Sequence, residues 1–173
     1  EARENLGFSD GFFANDKEHQ LEVIKIIRKY QPSIVLVNAL KDRHPDHGRA
    51  AALVAEAFFL AGLEKIETKL KGERQEAFRP KALYHYEQYI GSDPDIIVDI
   101  SSCFDKKMEA VVAHRSQFYD QHSTEPETLI SSPDFLNMIE ARALAAGMQI
   151  GVKYGEGFVA SRSIGTDDLL SLI

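Results

Sequence analysis

The sequence predicts an α/β fold: a Rossmann-like, mostly parallel sheet with flanking helices, in a single domain over residues 1–173. Three observations carry this. Short continuous apolar runs, Ile34-Val35-Leu36-Val37 and Ile96 to Ile100, stand between segments of helical period. Helix stop signals, Pro32, Gly62 and Gly147, fall where those segments end. Each apolar run is followed by a polar turn and a new helical pattern, the half-unit of a doubly wound sheet.

The elements follow in order. Glu1 to Leu6 reads as the end of a helix stopped by Gly7, so the sheet looks short of its N-terminal strand. Asn15 or Asp16 caps a helix to Tyr30, on which Leu21, Ile24 and Ile27 share a face. Ile34 to Val37 predicts a strand buried on both faces. Gly48 to Ala61 is an Ala-rich helix. Lys65 to Arg79 is charged and reads as a surface excursion, and Ala82 to Tyr89 alternates as a strand. After Ile96 to Ile100, Ser101 or Ser102 begins a long helix to about His122. Phe135 to Ala146 is a further helix, and Ile150 to Val159 holds two strand-like pieces around Gly155 and Gly157. The apolar tail from Asp167 reads as docking on the body or on a neighbour.

Composition narrows the function. A net charge of -7 gives no basic face for a phosphate backbone, so no nucleic-acid partner is expected. No apolar run is long enough to span a bilayer, and the polar opening Glu1-Ala2-Arg3-Glu4 is not a signal peptide. A lone cysteine, Cys103, suits a reducing cytoplasm and reads as a small buried residue.

Chemistry concentrates in Asp42-Arg43-His44-Pro45-Asp46-His47-Gly48, just after a strand and just before a helix. Ligands of open α/β sheets bind at the carboxyl ends of strands. His44 and His47, three apart, meet on neighbouring faces of a first helical turn. Both could bind one metal, or one could ligate while the other does acid–base work. Asp46 is placed to accept an imidazole N–H, and Arg43 offers a planar donor fork for a carboxylate or hydroxyls. Two histidines and carboxylates suit zinc, iron or manganese. The blander alternative, a polar loop with two surface histidines, is disfavoured by the density of the cluster. His85, His114 and Gln117, His122 and the tyrosines 84, 86 and 89 read as structural or solvated; Tyr154-Gly155-Glu156-Gly157 is balanced between a binding loop and a turn.

These residues resemble the second motif of the PIG-L/LmbE-like zinc N-deacetylases. Glu1-Ala2-Arg3 with Leu6-Gly7, Arg79-Pro80-Lys81, Asp99-Ile100-Ser101, Lys106-Lys107, Ser116-Gln117-Phe118, Glu140-Ala141-Arg142 and Tyr154-Gly155-Glu156-Gly157-Phe158 match further stretches in order. The resemblance implies His47 as a zinc ligand, and His44 as the histidine that stabilises the oxyanion or protonates the leaving amine. It implies Asp46 orienting His44, and Arg43 and Arg79 in the substrate pocket. The family's His-Pro-Asp-Asp motif, which brings the remaining zinc ligands and an Asp base, is absent from these residues. The expectation is thus an N-terminally truncated chain, inactive alone. The resemblance is nearest the bacillithiol-pathway branch, which deacetylates N-acetylglucosaminyl-malate, and it implies a homo-oligomer. Against this stand a metal-dependent phosphoesterase, and a non-catalytic binding or assembly module with a degenerate metal site.

Overall fold

The computed structural model describes residues 1–114, 117 and 128–172. They form α1 (Lys17–Tyr30), β1 (Ile34–Val37), α2 (Pro45–Ala61), β2 (Lys69–Leu70), β3 (Glu73–Arg74), β4 (Ala82–Tyr86), β5 (Ile96–Asp99), α3 (Phe104–Val112), α4 (Pro133–Gln149) and β6 (Gly155–Ala160). Short 3-10 turns lie at Leu129–Ser131 and Leu169–Leu172. The chain divides into two compact units, residues 1–95 with those from 158 onward, and residues 96–157.

In the first unit, α1 begins where Asp16 accepts the His19 amide at 3.0 Å. It ends at Gln31, whose φ of 46° is left-handed and whose amide donates to the Ile27 carbonyl at 2.8 Å. Ile24 and Ile27 pack against Ala57 and Ala61 of α2, where the small alanines let the two helices come close. Buried Arg28 donates to the carbonyls of Ala61, Leu63 and Ile66 and to the Thr68 hydroxyl, tying α1 to the end of α2 and the segment that follows it. β1 runs parallel to β4, Ile34 opposite Ala82 and Val37 opposite His85. β4 pairs antiparallel with residues 158–160 of β6.

Two expectations are corrected in this unit. Residues 1–8 form no helix; Glu4 bonds Lys29 and Tyr30 at the end of α1. β1 is buried on one face only: Val37 is enclosed, whereas Ile34 and Leu36 are 55% and 56% exposed. Its pairing with β4 leaves it at the edge, with no second partner strand among the described residues. The charged stretch 65–79, expected as a surface excursion, carries a small exposed hairpin, β2–β3, turned by Lys71 and Gly72 at φ 52° and 88°, both of the sign that a two-residue type I′ turn demands.

In the second unit, β5 lies beside β6, and Ile100, Phe104, Ala143 and Tyr154 form the core. The Phe104 and Tyr154 rings stack at 3.8 Å, and the Tyr154 hydroxyl donates to Glu140 at 2.8 Å. Glu156 pairs with Lys107, so Tyr154-Gly155-Glu156-Gly157 is the start of a packed strand. Gly147 lies inside α4 rather than after it. A Cβ there would sit 2.7 Å from the carbonyl oxygens of Val152 and Lys153, so the glycine permits close approach instead of capping. α3 stops at Val112, short of the expected His122; residues 115, 116 and 118–127 lie outside the described residues. Cys103, expected to be buried, is exposed at the N-cap of α3, because the Ser101 hydroxyl rather than the thiol turns inward to accept the Tyr154 amide at 3.0 Å.

The tail does not dock within the chain: Leu169 and Leu170 are 77% and 70% exposed. Among the described residues no helix is long and apolar enough to cross a membrane.

Candidate active site

β1 ends at Val37, and residues 38–44 carry the chain to the start of α2. Helix α2 begins three residues earlier than its apolar pattern suggests. His44 is the N-cap, its Nδ1 accepting the Asp46 amide at 3.2 Å, and Pro45 supplies the preset φ of the first turn. The His44 and His47 rings lie 5.4 Å apart between centroids, tilted by 38°. The predicted pair is therefore assembled, at the carboxyl end of a parallel strand and the positive end of a helix.

Each ring is held through Nδ1, but by opposite chemistry. His44 accepts from a backbone N–H, whereas His47 lies 2.9 Å from an oxygen of Asp42. Neither Nε2 bonds a described residue. The Asp42 side chain is 1% exposed. Its Oδ2 accepts the amides of Tyr89 at 2.6 Å and Ile90 at 3.1 Å, just beyond β4, and its Oδ1 accepts the His44 amide at 3.4 Å. Burial by itself would raise this carboxyl. The Tyr89 and Ile90 amides and the His47 ring overcome that and hold it down at about 2.

Asp46 has different partners from those expected. Its Oδ2 accepts the Gly11 amide at 2.6 Å and its Oδ1 pairs with Arg49, which also donates to the Gly11 carbonyl at 3.1 Å. The carboxylate thus ties the loop before α1 to the first turn of α2, and the bond to His44 comes from the Asp46 backbone instead. That loop brings in Asp10: ligand atoms of Asp10, His44 and Asp46 all lie within 4.8 Å of one another, so this corner offers donors of a kind that holds a divalent cation.

Arg43 is exposed, its guanidinium 5.5 Å from the Tyr89 ring centre, beside the pair. Arg79 does not join it. Its guanidinium donates to the Phe59 carbonyl at 2.9 Å and stacks over the Phe59 ring, at the far end of α2. At 1.5 Å rise per residue that is roughly 20 Å from His44. His85 is structural, 3% exposed and bonded to the Asn38 carbonyl at 2.8 Å.

No protein-family model matches the chain. The diacetylchitobiose deacetylase of Thermococcus kodakarensis is 31% identical over 157 residues, which is 88% of this chain and 54% of that protein. The crystal structure of the conserved protein TT1542 from Thermus thermophilus matches with a TM-score of 0.78 and 32% identity, over 94% of this chain and 66% of that one. The N,N'-diacetylchitobiose deacetylase of Pyrococcus horikoshii, solved with its inhibitor MPG, matches with a TM-score of 0.70 and 25% identity, over 90% and 55%. The chain belongs to the PIG-L/LmbE-like family. It spans about half the length of the curated relative it matches.

Within this PIG-L/LmbE-like chain, sequence reasoning missed four contributors: Asp42 as an imidazole partner, and Asp10, Gly11 and Arg49 as the loop that meets Asp46. Asp42 carried a signal, five residues before His47 in the same acidic run. The loop carried none, since it lies 35 residues from Asp46 in sequence.

Proposed function

We propose that this chain carries part of the active site of a metal-dependent hydrolase that removes an N-acetyl group from an amino-sugar conjugate. The observation that supports it best is the His44–His47 pair, with each Nδ1 engaged and each Nε2 directed at no described partner. A surface histidine pair has no reason to have both rings fixed this way. The deacetylases among the relatives supply the acetylated amino sugar as substrate class.

His47 is the proposed metal ligand and zinc the proposed ion; the described carboxylates Asp10 and Asp46 cluster with His44 instead. When bound, the cation polarises the acetamide carbonyl and acidifies a water. The chain's own residues do the rest. Because Nδ1 of His44 accepts a backbone N–H, the neutral ring carries its proton on Nε2. That N–H is a hydrogen-bond donor for the developing oxyanion. Asp46 fixes His44 through its amide, and through Gly11 and Arg49 it anchors the neighbouring loop. Arg43 stands at the rim as a fork for an anionic substituent. That suits the finer substrate reading, N-acetylglucosaminyl-malate, with a site in a reducing cytoplasm and a homo-oligomeric assembly.

The test pairs metal analysis with amine release from N-acetylglucosaminyl-malate and from diacetylchitobiose. His44→Ala is expected to keep metal content near that of the unaltered protein while kcat falls about a hundredfold or more. His47→Ala is expected to lose the metal. Metal loss in His44→Ala with retention in His47→Ala would reverse the roles, placing the ion on Asp10, His44 and Asp46.

A further inference from the structure

The proposed function leaves open what makes one of two similar imidazoles a ligand and the other a donor. We infer that Asp42 is the positioning residue that assigns these roles, by holding the His47 proton on Nδ1 and presenting the Nε2 lone pair to a divalent cation. This rests on the reading of His47 as a ligand, but its first measurement does not.

Asp42 is enclosed, and its Oδ2 is saturated by two backbone N–H donors at 2.6 and 3.1 Å. Backbone amides cannot accept, so the carboxylate is fixed as an acceptor with Oδ1 facing His47 at 2.9 Å. An acceptor against Nδ1 demands Nδ1–H, and a neutral ring then has its lone pair on Nε2. At His44 the partner is a donor, the Asp46 amide, so the proton must be on Nε2 instead. Two histidines three residues apart are thus driven to opposite tautomers by one carboxylate and one amide. A carboxylate behind a ligating imidazole also raises its basicity toward a metal, and loss of such a partner typically weakens binding about 10- to 100-fold. The anchors on Asp42 come from the segment after β4, so the orientation of His47 is set by a neighbouring strand and not by its own helix.

Nitrogen-15 correlation spectra of the imidazole rings in the metal-free chain read the tautomers directly. The unaltered chain is expected to show His47 as the Nδ1–H form and His44 as the Nε2–H form. Asp42→Asn can still accept the Tyr89 and Ile90 amides while turning an NH2 toward Nδ1, which pushes the His47 proton to Nε2. Its cobalt(II) affinity is expected to fall about 10- to 100-fold with His44 unchanged. A His47 Nε2–H signal in the unaltered chain, or an unchanged His47 tautomer in a folded Asp42→Asn chain, overturns the inference. The unaltered spectrum decides the point even if the variant fails to fold. A shifted tautomer with unaltered cobalt affinity would keep the positioning role and remove His47 from the metal, a failure of the proposed function instead.

Discussion

Asp42 is the clearest case of one side chain doing two things. It carries a charge in an enclosed place, tolerated because backbone amides replace its water. Its carboxyl is held at about 2, below the usual 3.9 or so of an unfolded chain, so its charged form stabilises the fold above pH ~4. That contribution, about 2 kcal/mol, is lost as pH falls from ~4 toward 2. Urea unfolding at pH 6 and at pH 2.5 is expected to show a smaller loss in Asp42→Asn than in the unaltered chain, by about that amount. Equal losses would show that Asp42 is not held low. The adjacent Arg43, His44 and His47 were legible as a candidate site because the sequence concentrates rare residue types after an apolar run. Asp42 and Asp46 were equally visible, but adjacency does not say which carboxylate turns toward which ring. Arg79 shows the opposite failure: an order of residues that matched a family pattern, yet a side chain spent on the last turn of α2.

At the scale of elements, local signals performed well wherever a boundary is set by local chemistry. Asp16 and Pro32 bracket α1, and the first turn of α2 uses Pro45 as its rigid start. Gly147 misled because a glycine in a helical pattern has two physical causes. One is the left-handed cap; the other is close approach of backbone, which only packing can create. Gly147→Ala separates them. On helix propensity alone it should stabilise by up to about 1 kcal/mol. The added Cβ, 2.7 Å from two carbonyl oxygens, forces the 152–153 segment away and is expected to give a net loss of about 1–3 kcal/mol. Thermal unfolding checks the sign, with Gly91→Ala, whose Cβ meets nothing within 4 Å, as the control.

For the whole molecule, the net charge of -7 and the exposed face of β1 act on different things. Charge governs solubility and partners, not fold. The edge of β1, with Ile34 and Leu36 more than half exposed, is an invitation to strand pairing between copies. The 173-residue chain is therefore expected to self-associate with concentration in sedimentation. Leu36→Lys is expected to weaken that while changing stability by no more than about 0.5 kcal/mol. An unchanged sedimentation profile would rule the β1 face out. By itself the sequence determined the α/β class, the extent of α1, β1 and the core of α2, and the place of the His44–His47 pair. Each of these follows from residue period and caps within a few positions of the chain. Only the tertiary structure decided that β1 stands at an edge among the described strands, that the carboxylate of Asp42 and not that of Asp46 holds an imidazole, and that residues 10 and 11 meet α2. Those contacts join segments tens of residues apart, and no local pattern encodes which distant backbone amide will satisfy a buried carboxylate.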